Sequence, residues 1–498
     1  MPIDRTTRLH RLLRTCLFPT LLLVAATIAR AATPTPAQDG ELWYSVHLDG
    51  RKIGHLHSAR STTAGVIRSE RRLELQLERN GEPLVVRSEE IVDEDLDGAP
   101  LGFETTTDLA GSRSHSVARI VDGEVRVRTE QPGQPGREQR YPWPPGSLLA
   151  EGQRRLLQTQ SLAPGSEFVI PGFDPTSQRG QHTRWQVGEA ETVDIHGRPE
   201  RLLAVRQTVD PDEAAIEISA WLRSDDRAVR RLRLPALGLQ LELLACDRAC
   251  ALAPVQPGDV LGALLVDAPR RLGARERSRP LEYRLRVDAQ QAAALGDLPG
   301  QSLLARRGER ARIAIDPAGG SAHPPQPADL EPTRWLQSDA DEVRLMASTA
   351  TADLDPPAAK MRALEAAVRR HIAVKSLRIG YASALEALQL GEGDCTEHAL
   401  LLAALARAAG IPARVATGIA YAERFGERRR VFVPHAWVIA WVDGRWQGFD
   451  AALPGHGSGH IAFAADHGDP FRFYRGLELL GRLRIESVVA GAVAEHGR

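Results

Sequence analysis

Cys395 stands where a glycine-rich loop, GEGD at residues 391 to 394, turns into the alanine- and leucine-rich run TEHALLLAALARAAGIPAR. Asp394 followed three residues later by Glu397 reads as a capping box, so a helix is expected to start at the cysteine itself. A thiol at that point faces backbone N–H groups and the positive end of the helix dipole. Both favour its ionisation, and the thiolate is the nucleophile. Gly410 and Pro412 mark the other end, and Leu400, Leu401, Leu405 and Ala408 are the expected buried stripe.

A catalytic thiol also needs a base for its proton and a third group to orient that base. The run VFVPHAWVIAW supplies a candidate base: Val431, Val433, His435, Trp437, Ile439 and Trp441 alternate onto one face of a strand. If Asp443-Gly444 is a two-residue hairpin turn, Val442 pairs with Arg445, and Asp450 falls opposite Trp437 and diagonal to His435. A slip of one residue would send Asp450 to the other face. Each residue also has a plainer reading. Cys395 could be packing, His435 a satisfied core histidine and Asp450 a turn cap; their joint placement favours chemistry. His398, on the nucleophile's own helix, reads as a supporting residue.

The segments GEGDCTEHALLLAALARAAGIPARVATG and PHAWVIAWVDGRWQGFD, in that order, resemble the transglutaminase-like superfamily, whose bacterial members share a papain-like core. The resemblance spans roughly residues 355 to 465 and implies a triad of Cys395, His435 and Asp450, with no cofactor and no metal. It also implies an oxyanion hole using the Cys395 backbone N–H and an upstream side chain, for which Tyr381 is the nearest candidate. The sequence departs from the family where Asp450 is followed by Ala451-Ala452 rather than Pro-Thr. The tail GHIAFAADHGDPFRFYRGLELLGRLRIESVVA also looks like that of bacterial members, with a histidine-containing strand after the core.

The elements that must hold these residues change character along the chain. From Glu41 to about Asp247 the pattern is short alternating runs with hairpin signals at Asp49-Gly50, Asn80-Gly81 and Asp122-Gly123, hence a mainly antiparallel β-rich domain over 38–250. The stretch QPGQPGREQRYPWPPG interrupts it and is expected to cross an edge or a gap between sheets. A smaller β-rich domain is expected over 255–318 and a Pro-rich linker over 319–334. Residues 335–498 then read as the catalytic domain, helices first and an antiparallel sheet after, so the fold class is α+β.

With 63 basic against 64 acidic residues among 498, nothing in the charge points to nucleic acid. Arg5, Arg8, Arg11 and Arg14 precede the apolar run CLFPTLLLVAATIA and the small-residue site at 29–31, so residues 1–31 read as a signal peptide. The mature chain would then be exported, periplasmic or extracellular, with no membrane span. Cys246 and Cys250 would be near enough to form a disulfide, leaving Cys395 alone.

The reading that follows is an exported thiol enzyme that attacks an amide of a protein or peptide substrate through an acyl-cysteine, as a peptidase, amidase or acyltransferase. One alternative is a non-catalytic envelope binding protein with a retained scaffold. A weaker one is a metal enzyme using the late histidines of GHGSGHIAFAADHGD, which lack a tight zinc motif. Composition leaves oligomeric state open.

Overall fold

The computed structural model describes residues 40–491 except 80, 110–111, 131–135, 210–215, 237–238, 288–294, 321–322, 377–380, 469–479 and 481–482. The expected signal peptide lies outside the described residues. Among the described residues no helix is long and apolar enough to cross a membrane.

Alternating sequence over Gly40–Cys246 becomes one antiparallel sheet of fourteen strands. Strands next to each other in sequence are next to each other in the sheet, with one exception. The first, Gly40–Leu48, pairs with the last, Leu239–Cys246, in a register that sets Trp43 against Cys246. This pairing leaves Arg137–Pro142 and Glu167–Asp174 at the two edges. The Pro-rich stretch thus leads into an edge strand, where a missing N–H costs no ladder bond.

The sheet curls so that these distant regions meet. Phe173 lies 5.6 Å from the Phe103 ring and 4.5 Å from that of Trp143. A helix that strand periodicity did not reveal, Ala150–Thr159, docks there. The N–H groups of its Glu151 and Gly152 donate to the buried Glu94 carboxylate at 2.6 and 2.9 Å.

The C-terminal region places helices Asp341–Ala350, Pro357–His371, Ala384–Leu390 and Cys395–Ala408 beside an antiparallel sheet. That sheet runs in the order Val266–Asp267, Arg428–Val442, Ala413–Phe425, His460–Asp466, with Arg445–Phe449 also on the long strand. The Cys395 helix is buried on every side from Thr396 to Arg407, whereas a single buried stripe was expected, with Ala408 as its last member. A helix apolar all round belongs in a core. Each fully buried leucine there contributes about 1.5–3 kcal/mol, which fixes the position of the helix start.

Two expected boundaries do not survive. The 255–318 segment is not a separate small domain. Its Val266–Asp267 strand pairs with Phe432 and Val431, and the Leu281–Arg286 strand pairs with Arg484–Ala490 near the C-terminus. Tyr283 Oη donates to the Ser458 carbonyl at 2.6 Å, and Gln301 exchanges two 3.0 Å hydrogen bonds with Ala462. The Pro-rich stretch expected to be a linker is a strap laid on the domain. Its His323 carbonyl accepts from Trp446 Nε1 at 3.0 Å, and buried Asp329 takes a bidentate pair from Arg414 at 2.6 and 2.8 Å. Composition marks proline-rich irregular backbone but not whether the backbone is docked.

Candidate active site

The Asp394 carboxylate accepts from Thr396 N at 2.8 Å, and Glu397 returns a bond to Asp394 N at 2.8 Å, so the capping box forms and the helix begins at Cys395. Cys395 keeps partial exposure while Asp394 and Thr396 to Arg407 are buried. His435 and the backbone N–H of Ala436 act on its sulfur, both favouring the thiolate.

His435 comes from the long strand in the register that the hairpin implies. Asp443 and Gly444 adopt left-handed backbone, with φ of 52° and 76°, and Val442 pairs with Arg445. Pairing runs to Val438 against Phe449, so the next residue, Asp450, comes up on the His435 and Trp437 face. His435 Nε2 is 2.8 Å from Asp450 Oδ2. That leaves Nδ1 for the sulfur. Trp437 stacks on the imidazole at 6.1 Å and 19°.

Asp450 is held more tightly than the sequence suggests. Its Oδ2 also meets His460 Nε2 at 2.9 Å, and Oδ1 accepts from the N–H groups of Ala452 and Leu453 at 2.8 and 2.9 Å. The turn after the acid therefore closes on Asp450 without a proline. Arg369 clasps the same turn from outside, bonding the carbonyls of Asp450, Ala451 and Leu453, and Lys375 bonds that of Ala452 at 2.6 Å.

The electrostatics follow from this packing. Burial works against the Asp450 carboxylate, but His435 and His460 overcome it and hold the acid well below its usual range. Burial alone would depress His435; the charge and hydrogen bond of Asp450, with the Cys395 sulfur, carry it instead up to about 10. Burial pushes the Cys395 thiol up, and Asp394 adds to this, while His435 and the Ala436 N–H pull it back. The depression expected from the helix start is thus not the net direction. The Asp394 carboxylate that caps the helix opposes ionisation of the thiol, and His435 favours it.

Of the other candidates, His398 is buried and Nδ1 sits 2.6 Å from the Asp394 carbonyl, which ties it to the capped turn. Tyr381 is the residue expected as an oxyanion donor. It is buried edge-on to Trp335 at 5.4 Å, with its hydroxyl donating to the Gly468 carbonyl at 3.3 Å. The late histidines divide: His460 joins Asp450, His456 lies tilted against His460 at 4.7 Å, and His467 Nδ1 accepts from Arg407 at 2.8 Å. Burial drives His456 down to about 3, so it stays neutral. His435, Asp450 and His460 could in principle offer three ligand atoms to a metal ion. Both imidazoles, however, already meet one carboxylate oxygen at hydrogen-bond distance. His460, Arg369 and Lys375 escaped the residue-level reading; the histidine-bearing tail strand was the one signal for His460.

Residues 344–451 match the family model described as the transglutaminase-like superfamily. Cys395, His435 and Asp450 lie inside the match, and His460 lies beyond it. No curated protein sequence matches the chain. Among solved structures, a β-barrel-like protein of a domain of unknown function from Brucella abortus aligns over 42% of this chain and 96% of its own, at 14% identity and a TM-score of 0.33. A "Putative Cysteine Protease" from Cytophaga hutchinsonii aligns over 42% and 87%, at 17% identity and a TM-score of 0.28. A "Putative Protease" from Parabacteroides distasonis aligns over 72% and 69%, at 12% identity and a TM-score of 0.19. Likenesses of this size assign no activity.

Proposed function

We propose that this chain, whose residues 344–451 are a transglutaminase-like core behind a large antiparallel β sheet, is an exported thiol enzyme that cleaves amide bonds through an acyl-cysteine. The observation that carries the reading is the buried His435 imidazole, which favours the Cys395 thiolate and is held by Asp450 at 2.8 Å from its Nε2. The proton rests on His435, as its raised pKa favours, and the Cys395 thiolate attacks the amide carbon. The imidazolium then gives that proton to the leaving amine, which departs as the thioester forms. Asp450 fixes the ring and stabilises its charge without exchanging the proton. The Cys395 backbone N–H, at the helix start, is the donor nearest the developing oxyanion.

Water then attacks the thioester, with His435 taking its proton, and the acid product leaves. An amine acceptor would use the same first half-reaction, but water is far more abundant in the extracytoplasmic space. The export reading rests on the arginine-flanked apolar N-terminus. Incubating the purified chain with cell-envelope peptides, quenching in acid and weighing the intact protein tests the reading. A mass increase confined to Cys395, and decaying on further incubation, is expected; a chain that never acquires an adduct refutes it.

A further inference from the structure

Far along the sequence from Cys395, the other two cysteines of the described chain meet a histidine. Cys246 ends the last strand of the large sheet. Asp247 caps a one-turn helix, Arg248–Ala251, by accepting from Cys250 N at 2.8 Å, and this turn brings the second sulfur back beside the first. The two thiols are free, so the disulfide expected from their spacing is not formed.

The third member arrives from another hairpin. Arg179–Ile195 and Arg198–Val209 pair up to Ile195 against Arg198, leaving His196-Gly197 as a two-residue turn with φ of 53° and 77°. The hairpin's end packs on Trp221 and Leu244 through Val193, Ile195 and Leu202, so its tip is laid down at the Cys246 end of the sheet. His196 Nε2 thereby reaches 3.7 Å from Cys250 Sγ, and the ligand atoms of His196, Cys246 and Cys250 all lie within 4.8 Å of one another.

We propose that His196, Cys246 and Cys250 form a binding site for a thiophilic d10 cation, Zn2+ or Cu+. Sulfur and imidazole nitrogen bound tetrahedrally to zinc sit roughly 3.5 Å apart, given bond lengths of about 2.3 and 2.0–2.1 Å. The observed 3.7 Å is therefore close to a formed site. Two thiolates with one imidazole suit these ions over harder ones. The present partner of the histidine nitrogen is a hydroxyl that a metal would displace, and the cysteine turn is fixed by a lysine. Ser45 Oγ lies 3.3 Å from His196 Nε2 and 2.9 Å from His47 Nε2, and Lys52 Nζ donates to the Cys250 carbonyl at 2.9 Å. His196 is exposed, which leaves a coordination position open to water. Binding displaces two thiol protons, so affinity rises with pH.

The test uses the full chain, reduced and stripped with a chelator, then titrated with Zn2+ against a chromophoric competitor and, in a separate arm, with Cu+. Co2+ loading reports thiolate ligation by its charge-transfer absorption. One equivalent of Zn2+ or Cu+ is expected, with the better-bound ion identifying the occupant. Cys246→Ser and Cys250→Ser should abolish the charge-transfer band. His196→Ala, on an exposed turn where folding is not at stake, should weaken binding by about tenfold or more. Cys395→Ser should bind as wild type does. No stoichiometric binding, binding indifferent to His196→Ala, or a metal-free Cys246–Cys250 disulfide in protein isolated without reductant would each overturn the site.

Discussion

Cysteine meets histidine twice in this molecule, with different third partners. At Cys395 the imidazole is buried and its far nitrogen is fixed by a carboxylate at 2.8 Å. At Cys250 the imidazole is exposed on a hairpin tip, its neighbours are a serine hydroxyl and a second thiol, and among the described residues no carboxylate is a hydrogen-bond partner. A buried carboxylate makes an imidazole a strong, oriented base for one proton. Two sulfurs around an accessible nitrogen make a ligand set instead. The residue pair alone therefore does not define the chemistry; burial and the third group do.

The comparison breaks most visibly at the sulfurs. Cys395→Ser should remove acyl-adduct formation altogether, a loss of several orders of magnitude, because a serine there is not ionised and no stronger base is at hand. Cys246→Ser and Cys250→Ser should leave the adduct rate within about twofold, since surface changes away from the site are usually neutral. Equal adduct rates in Cys395→Ser and wild type, read by intact mass, would make the cysteine structural. Next in size is Asp450→Asn. The amide keeps the packing but withdraws the charge that holds His435 up, and turnover should fall on the order of a hundredfold or more. Circular dichroism unchanged beside that loss would separate orientation from unfolding.

The sequence made the first site readable and left the second obscure for a physical reason. The capping box, the Asp443-Gly444 turn and the alternation through His435 are short-range rules, and together they set Cys395, the base and the acid on known faces. The Cys395–His435 meeting itself came from resemblance. His196 reaches Cys250 only because one hairpin lies across another part of the sheet, and no period of two or 3.6 encodes that crossing. The same limit hid the docked strap and the C-terminal strand beside Leu281–Arg286, both fixed by partners more than 80 residues away.

The proton pair also gives stability a pH signature. His435 sits at about 10 in the folded protein against an ordinary 6.5, so its contribution is fully present below about pH 6.5 and is lost as pH rises through 10. Asp450, held below its ordinary 3.8, contributes above that value, and this is lost as pH falls through the depressed folded-state value. Wild type should therefore lose on the order of a few kcal/mol between about pH 6.5 and 10 relative to His435→Gln. Urea midpoints at intervals across that range check it, and parallel curves for the two proteins would mean that the imidazole is not charged in the fold.

The smallest expected effect falls on His460, which shares Asp450 Oδ2 with His435. It acts as a positioning residue: its N–H fills the second lone-pair direction of that oxygen and keeps the carboxylate from rotating away from His435. Removing it leaves two backbone N–H donors on Oδ1, so the acid remains held, though less rigidly. His460→Gln, which can still donate, should retain most activity, whereas His460→Ala should lower kcat by about tenfold with KM little changed. Because the acid steers the base, the alanine variant should also show the acidic limb of its kcat profile displaced, an effect that simple loss of packing would not produce. A rise in KM with an unmoved pH profile would instead place His460 in substrate binding, at the pocket it lines with Trp437 and His456.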